Sequence, residues 1–125
     1  MAFFVRYGKG GPNMATWQTL CSNTDFRTLY YRGKSRVHPA LVTYVRKNRQ
    51  GAPRIGITTG KKVGGAVQRS RCRRVIREAF RPFYPLVGNY DIVFVARTRT
   101  LKFKSTDLVP VVRQHLTELG VLQDG

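Results

Sequence analysis

The sequence predicts an α+β domain, a small central sheet of about four strands packed with three helices. Three observations predict it. Residues 40–46 (ALVTYVR), 54–59 (RIGITT) and 90–97 (YDIVFVAR) are β-branched and apolar at strand length. Elsewhere, three segments repeat apolar residues at the three- and four-residue spacing of a helix face. The chain has 125 residues, 42% of them hydrophobic, which supports one core, and helices interleaved with few strands must pack as layers on one sheet.

Residues 1–16 contain Gly8, Gly10, Gly11 and Pro12 without sustained periodicity, and read as a flexible N-terminal extension with Met14 as an alternative start. Residues 17–125 read as one domain without internal repeats. Asn23 or Thr24 caps a first helix on which Phe26, Leu29 and Tyr30 share a face, and Gly33 stops it. In the strand at 40–46, Leu41, Thr43 and Val45 face one way and Val42, Tyr44 and Arg46 the other. Gly51 and Pro53 mark residues 48–53 as a hairpin turn, so 54–59 reads as a second strand antiparallel to the first. A basic, glycine-bearing loop leads into a second helix that Pro82 and Pro85 end. The unbroken apolar run 92–96 implies a strand buried on both faces. The last helix spans about 106 to 119, with Val112, Leu116 and Leu119 inward and Gly120 as its stop. Pro110 fits a first turn, which makes Asp107 the expected N-cap.

Charge narrows the function. Twenty-three Lys and Arg face six Asp and Glu, a formal charge of +17, whereas solubility alone needs only about 2–8. Such an excess repels itself unless a polyanion neutralises it. A membrane partner fits poorly, because no apolar run approaches the ~20 residues of a spanning helix. The start has no secretory pattern, and two isolated cysteines make no disulfide framework, so the expected location is the cytoplasm.

The cations concentrate between residues 61 and 81. On a helical wheel Cys72, Val75, Ile76 and Ala79 form a core face with Phe80 at its edge. Arg69, Arg73, Arg77 and Arg81 follow one flank with Arg74 beside them, and Arg71 lies opposite. Each i, i+4 arginine pair repels by a few tenths of a kcal/mol, with only Glu78 nearby to offset it. Six acids cannot neutralise twenty-three bases, and guanidinium forks suit phosphates. Lys61 and Lys62 add charge before the helix, while Gly64 and Gly65 let a phosphate approach the backbone at a helix N-terminus. The lysines precede the glycines, so this is no Walker loop. Phe26, Tyr30 and Tyr44, the last beside Arg46, can stack single-stranded bases, or equally pack the core. Asp25, Glu78, Asp91, Asp107, Glu118 and Asp124 are scattered singly, His38 and His115 lack a companion motif, and no Cys/His spacing fits zinc. The residues thus describe an RNA-binding protein with no active site of its own. A structural component such as a ribosomal protein is an alternative, and a metal-dependent nuclease a more remote one.

The stretch KKVGGAVQRSRCRRVIRE at 61–78 resembles the signature of the bacterial ribonuclease P protein component. TDFRTLYYRGKS, ALVTY, RIGIT and YDIVFVAR extend the resemblance, in order and spacing, over roughly residues 20–119. Ser70 and Gly65 stand where the family usually has Asn, and the N-terminal extension is longer and less basic than usual. The resemblance implies a split βαβ fold with a left-handed crossover, against a general right-handed preference of about 98%. It implies a protein subunit of the ribonuclease P ribonucleoprotein, partnered by ribonuclease P RNA and precursor tRNA, with no obligate protein partner. In that assembly the RNA subunit performs the Mg²⁺-dependent 5′ maturation, and the protein alone binds no cofactor and is inactive. Carried over by position, Phe26, Tyr30, Tyr44 and Arg46 line a cleft for the 5′ leader. Lys61, Lys62, Arg69, Ser70, Arg71, Arg73, Arg74 and Arg77 form the basic loop and helix facing the catalytic RNA.

Overall fold

The computed structural model describes residues 3–4, 18–19, 23–48 and 53–122, with side chains from residue 26 onward. The elements are β1 (Phe3–Phe4), β2 (Gln18–Thr19), α1 (Asn23–Arg32), β3 (Lys34–His38), β4 (Leu41–Lys47), β5 (Arg54–Thr59), α2 (Ala66–Phe80), β6 (Tyr90–Ala96) and α3 (Ser105–Glu118). Short 3₁₀ turns occupy Lys61–Val63, Arg81–Leu86 and Thr98–Lys102. Four strands form the mixed sheet in the order β5-β6-β4-β3. β5 and β6 are parallel neighbours joined through α2, and the other pairs are antiparallel. The two-residue β1 and β2 pair with β5 along its other edge. The extension expected over 1–16 otherwise lies outside the described residues.

β6 is the centre of the molecule, as its apolar run implies. Ile92, Phe94 and Ala96 enter the main core, while Val93 joins Phe26 and Leu29 of α1 on the opposite face. The main core is closed by Cys72, Ile76 and Phe80 of α2 and Leu108, Val112 and Leu116 of α3. The Phe80 ring lies 5.2 Å from that of Phe94.

The expected hairpin between residues 40–46 and 54–59 is not present. β6 inserts between β4 and β5, with Val93 opposite both Tyr44 and Gly56, so the two strands oppose in direction without pairing. Residues 49–52 of the connection lie outside the described residues. The reason is burial: the most apolar strand takes the centre, and turn signals near residue 51 carry no information about a strand forty residues later. The actual hairpin joins β3 to β4, with Val37 opposite Val42 and His38 opposite Leu41. β3 lacks strand periodicity because it is an edge, exposing Lys34, Arg36 and Val37. α3 also starts earlier than expected. Asp107 is its third residue and not its N-cap, its carboxylate accepting the Lys104 N–H at 3.0 Å. Pro110 stands inside the helix, beyond its first turn, at an exposed position. The stop at Gly120 is as expected: φ is +73°, its N–H reaches the Thr117 carbonyl at 3.1 Å and the Val121 N–H that of Leu116 at 3.1 Å.

Thr43 and His115 tie β4 to α3, with Thr43 Oγ1 and His115 Nδ1 2.8 Å apart and both residues buried. Burial pushes the imidazole below its ordinary 6.5; His38 and Arg36 push the same way and Glu118 opposes them. The folded state therefore holds this group neutral, and the unfolded chain takes up the proton first. Stability should be constant above about pH 6.5 and fall as pH drops through the lowered folded value. Thermal unfolding across that range should show this acid limb, and His115→Gln should flatten it. Phe80→Ala should cost about 3–5 kcal/mol in denaturant unfolding.

Candidate nucleic-acid interface

α2 forms because Cys72, Val75, Ile76, Ala79 and Phe80 repeat at helical spacing and bury against the sheet. That burial turns the arginines outward along its flanks. Not all of them remain available. Glu78 holds Arg81 at 3.2 Å and lies 4.0 Å from Arg77, so the stripe is partly neutralised at its C-terminal end. Among the described residues, Arg71, Arg73 and Arg74 have no carboxylate within 4.0 Å. Arg73 Nη2 donates to Ser70 Oγ at 2.8 Å, so the hydroxyl one turn earlier orients that guanidinium.

Before the helix, Lys61 and Lys62 project from a 3₁₀ turn anchored by the buried Val63. Gly64 has φ of +138°, and a Cβ there would meet Gln68 Cβ at 2.9 Å, so the turn demands glycine. Gly65 is the N-cap of α2 and supplies no side-chain acceptor. Relative to Asn this costs only a few tenths of a kcal/mol, and it leaves the first N–H groups of the helix without a side-chain cap.

The aromatic residues gather on the opposite face of the sheet. α1 packs across β4 and β6, bringing the Tyr30 and Tyr44 rings to 4.9 Å in an edge-on arrangement at 73°. Phe26 lies 6.5 Å from Tyr30 but is only 6% exposed, so it supports the cleft from within the core. Tyr30 is 36% exposed, Tyr44 half-buried, and Arg46 exposed at the same edge. Burial raises the Tyr30 phenol above its ordinary value, the Thr58 hydroxyl opposes that rise and Tyr44 adds to it. The phenol is therefore neutral and a hydrogen-bond donor at physiological pH. The two sets of expected residues thus stand on opposite faces, with the sheet between them.

The described acids serve the framework. Asp91 accepts two bonds from Arg54, at 2.8 and 2.6 Å, and one from Asn48 at 2.8 Å. Glu118 pairs with Arg36 at 3.2 Å. Among the described residues no three of His, Cys, Asp and Glu come together in a set that could hold a metal ion. Cys72 is buried, which raises its thiol against the pull of Arg71 and Arg73 and leaves it inert. Sequence reading alone identified neither the Asp91 clamp nor the Ser70–Arg73 contact, although the i, i+3 spacing of the latter was visible.

Comparison with known proteins gives a consistent result. The ribonuclease P family model matches residues 14–120. The ribonuclease P protein component of Clostridioides difficile (strain 630) is 42% identical over 92 residues, covering 70% of this chain and 81% of that protein. That of Clostridium botulinum (strain Loch Maree / Type A3) is 36% identical over 101 residues, covering 79% and 91%. Among solved structures, the Staphylococcus aureus RNase P protein superposes with a TM-score of 0.75 at 27% identity, over 84% of this chain and 97% of that one. The Thermotoga maritima protein gives 0.65 at 28%, over 82% and 94%.

The distribution of carboxylates predicts unequal arginines. Replacing Arg73 and Arg74 together by Ala should lower the slope of log affinity for RNA against log salt by ~0.7–0.9 for each phosphate no longer neutralised. Arg81→Ala, which removes a cation already paired with Glu78, should change the slope less. A salt titration of the variants side by side measures both.

Proposed function

This chain belongs to the bacterial ribonuclease P protein family, and from that premise we propose how its two surfaces divide the work. As a family member it is the protein subunit of an endoribonuclease holoenzyme whose partner is ribonuclease P RNA. We favour this reading over a ribosomal role and over a free-standing nuclease.

In our reading, the Lys61–Lys62 turn and the arginines of α2 dock on the phosphate backbone of ribonuclease P RNA. Tyr30, Tyr44 and Arg46 receive the 5′ leader of precursor tRNA on the other face, with Phe26 beneath them. The observation that carries this is the set of cations that, among the described residues, have no carboxylate within 4.0 Å: Lys61 and Lys62 on the turn, and Arg71, Arg73 and Arg74 on the flanks of the helix that follows. A tyrosine pair beside an arginine supports the second assignment, since rings supply stacking and the guanidinium a phosphate contact. Hydrolysis requires Mg²⁺, which enters with the RNA: the described carboxylates here are committed to Arg36, Arg54, Arg81 and the start of α3. The protein's own contribution is fixed positive charge where two RNA backbones approach, which lowers their repulsion without a diffusible ion. Its benefit should therefore be greatest when Mg²⁺ is scarce. No described helix is long and apolar enough to cross a membrane, and we place its work in the cytoplasm.

Mixing the protein with ribonuclease P RNA and precursor tRNA at low Mg²⁺ should give 5′ cleavage that neither component gives alone. Robust cleavage by RNA-free protein would overturn the assignment. Tyr44→Ala should cost about 1–3 kcal/mol of leader affinity; if melting temperature falls and leader affinity does not, the ring belongs to the core only.

A further inference from the structure

Arg97, Arg99, Lys102 and Lys104, between β6 and α3, belong to neither the arginine helix nor the tyrosine cleft. The chain winds Thr98–Lys102 into a 3₁₀ turn that packs beside the Lys61–Val63 turn and against α2. All four cationic side chains are exposed. The turn beneath them is held firmly. The Thr100 hydroxyl, in a residue only 1% exposed, donates to the Ala40 carbonyl at 2.6 Å and accepts the Arg97 N–H at 2.9 Å. Leu101 packs on the main core, and the Phe103 ring meets His38 edge-on at 6.0 Å. Among the described residues, no carboxylate lies within 4.0 Å of any of these four cations.

A solubilising surface requires charge but no anchoring. Here a buried threonine ties the turn to a residue sixty positions away, which restricts its backbone before any partner arrives. Such preorganisation lowers the ordering cost of binding. The adjoining Lys61–Lys62 turn extends the same positive surface, and the turn's border with α2 separates it from the tyrosine cleft across the sheet.

We propose that the Thr98–Lys102 turn is a second phosphate-binding site, with Arg97, Arg99 and Lys102 gripping the sugar–phosphate backbone of ribonuclease P RNA and not the leader. The assignment rests on the docking of the Lys61–Lys62 turn and α2 on that RNA. Arg97 and Arg99 supply forks for phosphate oxygens and Lys102 a point charge, so the site holds RNA without reading its sequence.

The test compares the full-length wild type with R97Q/R99Q/K102Q, measuring binding to ribonuclease P RNA and, separately, to a single-stranded leader oligonucleotide, over a range of salt. For ribonuclease P RNA the triple variant should show a log–log salt slope shallower by about 2 and bind roughly tenfold or more weakly at low salt. Leader binding and melting temperature should stay at the wild-type values, because the Thr100 anchors are intact. R97K/R99K, which keeps the charge, should keep the slope. If the triple variant melts early, Arg99→Gln alone carries the test, with a slope shallower by ~0.7–0.9. A wild-type slope in the neutralised variants overturns the inference, and a parallel fall in leader binding overturns its assignment to the catalytic RNA. Failure of the wild type itself to bind ribonuclease P RNA would instead overturn the proposed docking of α2 on which the inference rests.

Discussion

Positive charge that the chain cannot neutralise internally is the constraint that governs how the other features are arranged. Six carboxylates stand against twenty-three basic side chains, and the described ones are committed to joining elements. Asp91 clamps Arg54 and Asn48 at one end of the sheet. Glu118 links α3 to the edge strand through Arg36, Glu78 secures the end of α2, and Asp107 starts α3. Each anion thus holds the framework where two elements meet. The cations left over are concentrated on the Lys61–Val63 turn and α2, where a polyanion satisfies them in a way no internal pairing can.

The second organising feature is β6. Because it is buried on both faces, the sheet carries two layers, with α2 and α3 over one side and α1 over the other. That arrangement keeps the arginine surface and the tyrosine cleft apart. The same strand explains why a parallel β5–β6 pair is tolerated in so small a domain: parallel strands need cover on both faces, and three helices provide it.

The departures from the usual family pattern have physical accommodations. Ser70 accepts from Arg73 as an amide oxygen would. Gly65 gives up a side-chain cap at small cost and leaves the entry to α2 open. Neither change disturbs the buried face of the helix, so neither threatens the fold.

Features governed by neighbours within a few residues were legible in the chain alone. These include the buried stripe of α2 and its arginine flanks, the two-faced burial of β6, the glycine stop at 120 and the lysine–glycine loop. Local periodicity and turn chemistry are enough to specify them. Long-range packing was needed to place β6 between β4 and β5, to make the basic β3 an edge, and to sink Phe26 beneath its tyrosine partners. It also selected which arginines find a carboxylate, and brought residues 98–102 beside residues 61–63. Each of these depends on contacts between residues tens of positions apart, whose outcome is settled by which strand and which faces can be buried at once. Periodicity registers that a side chain will be covered; it does not register by what.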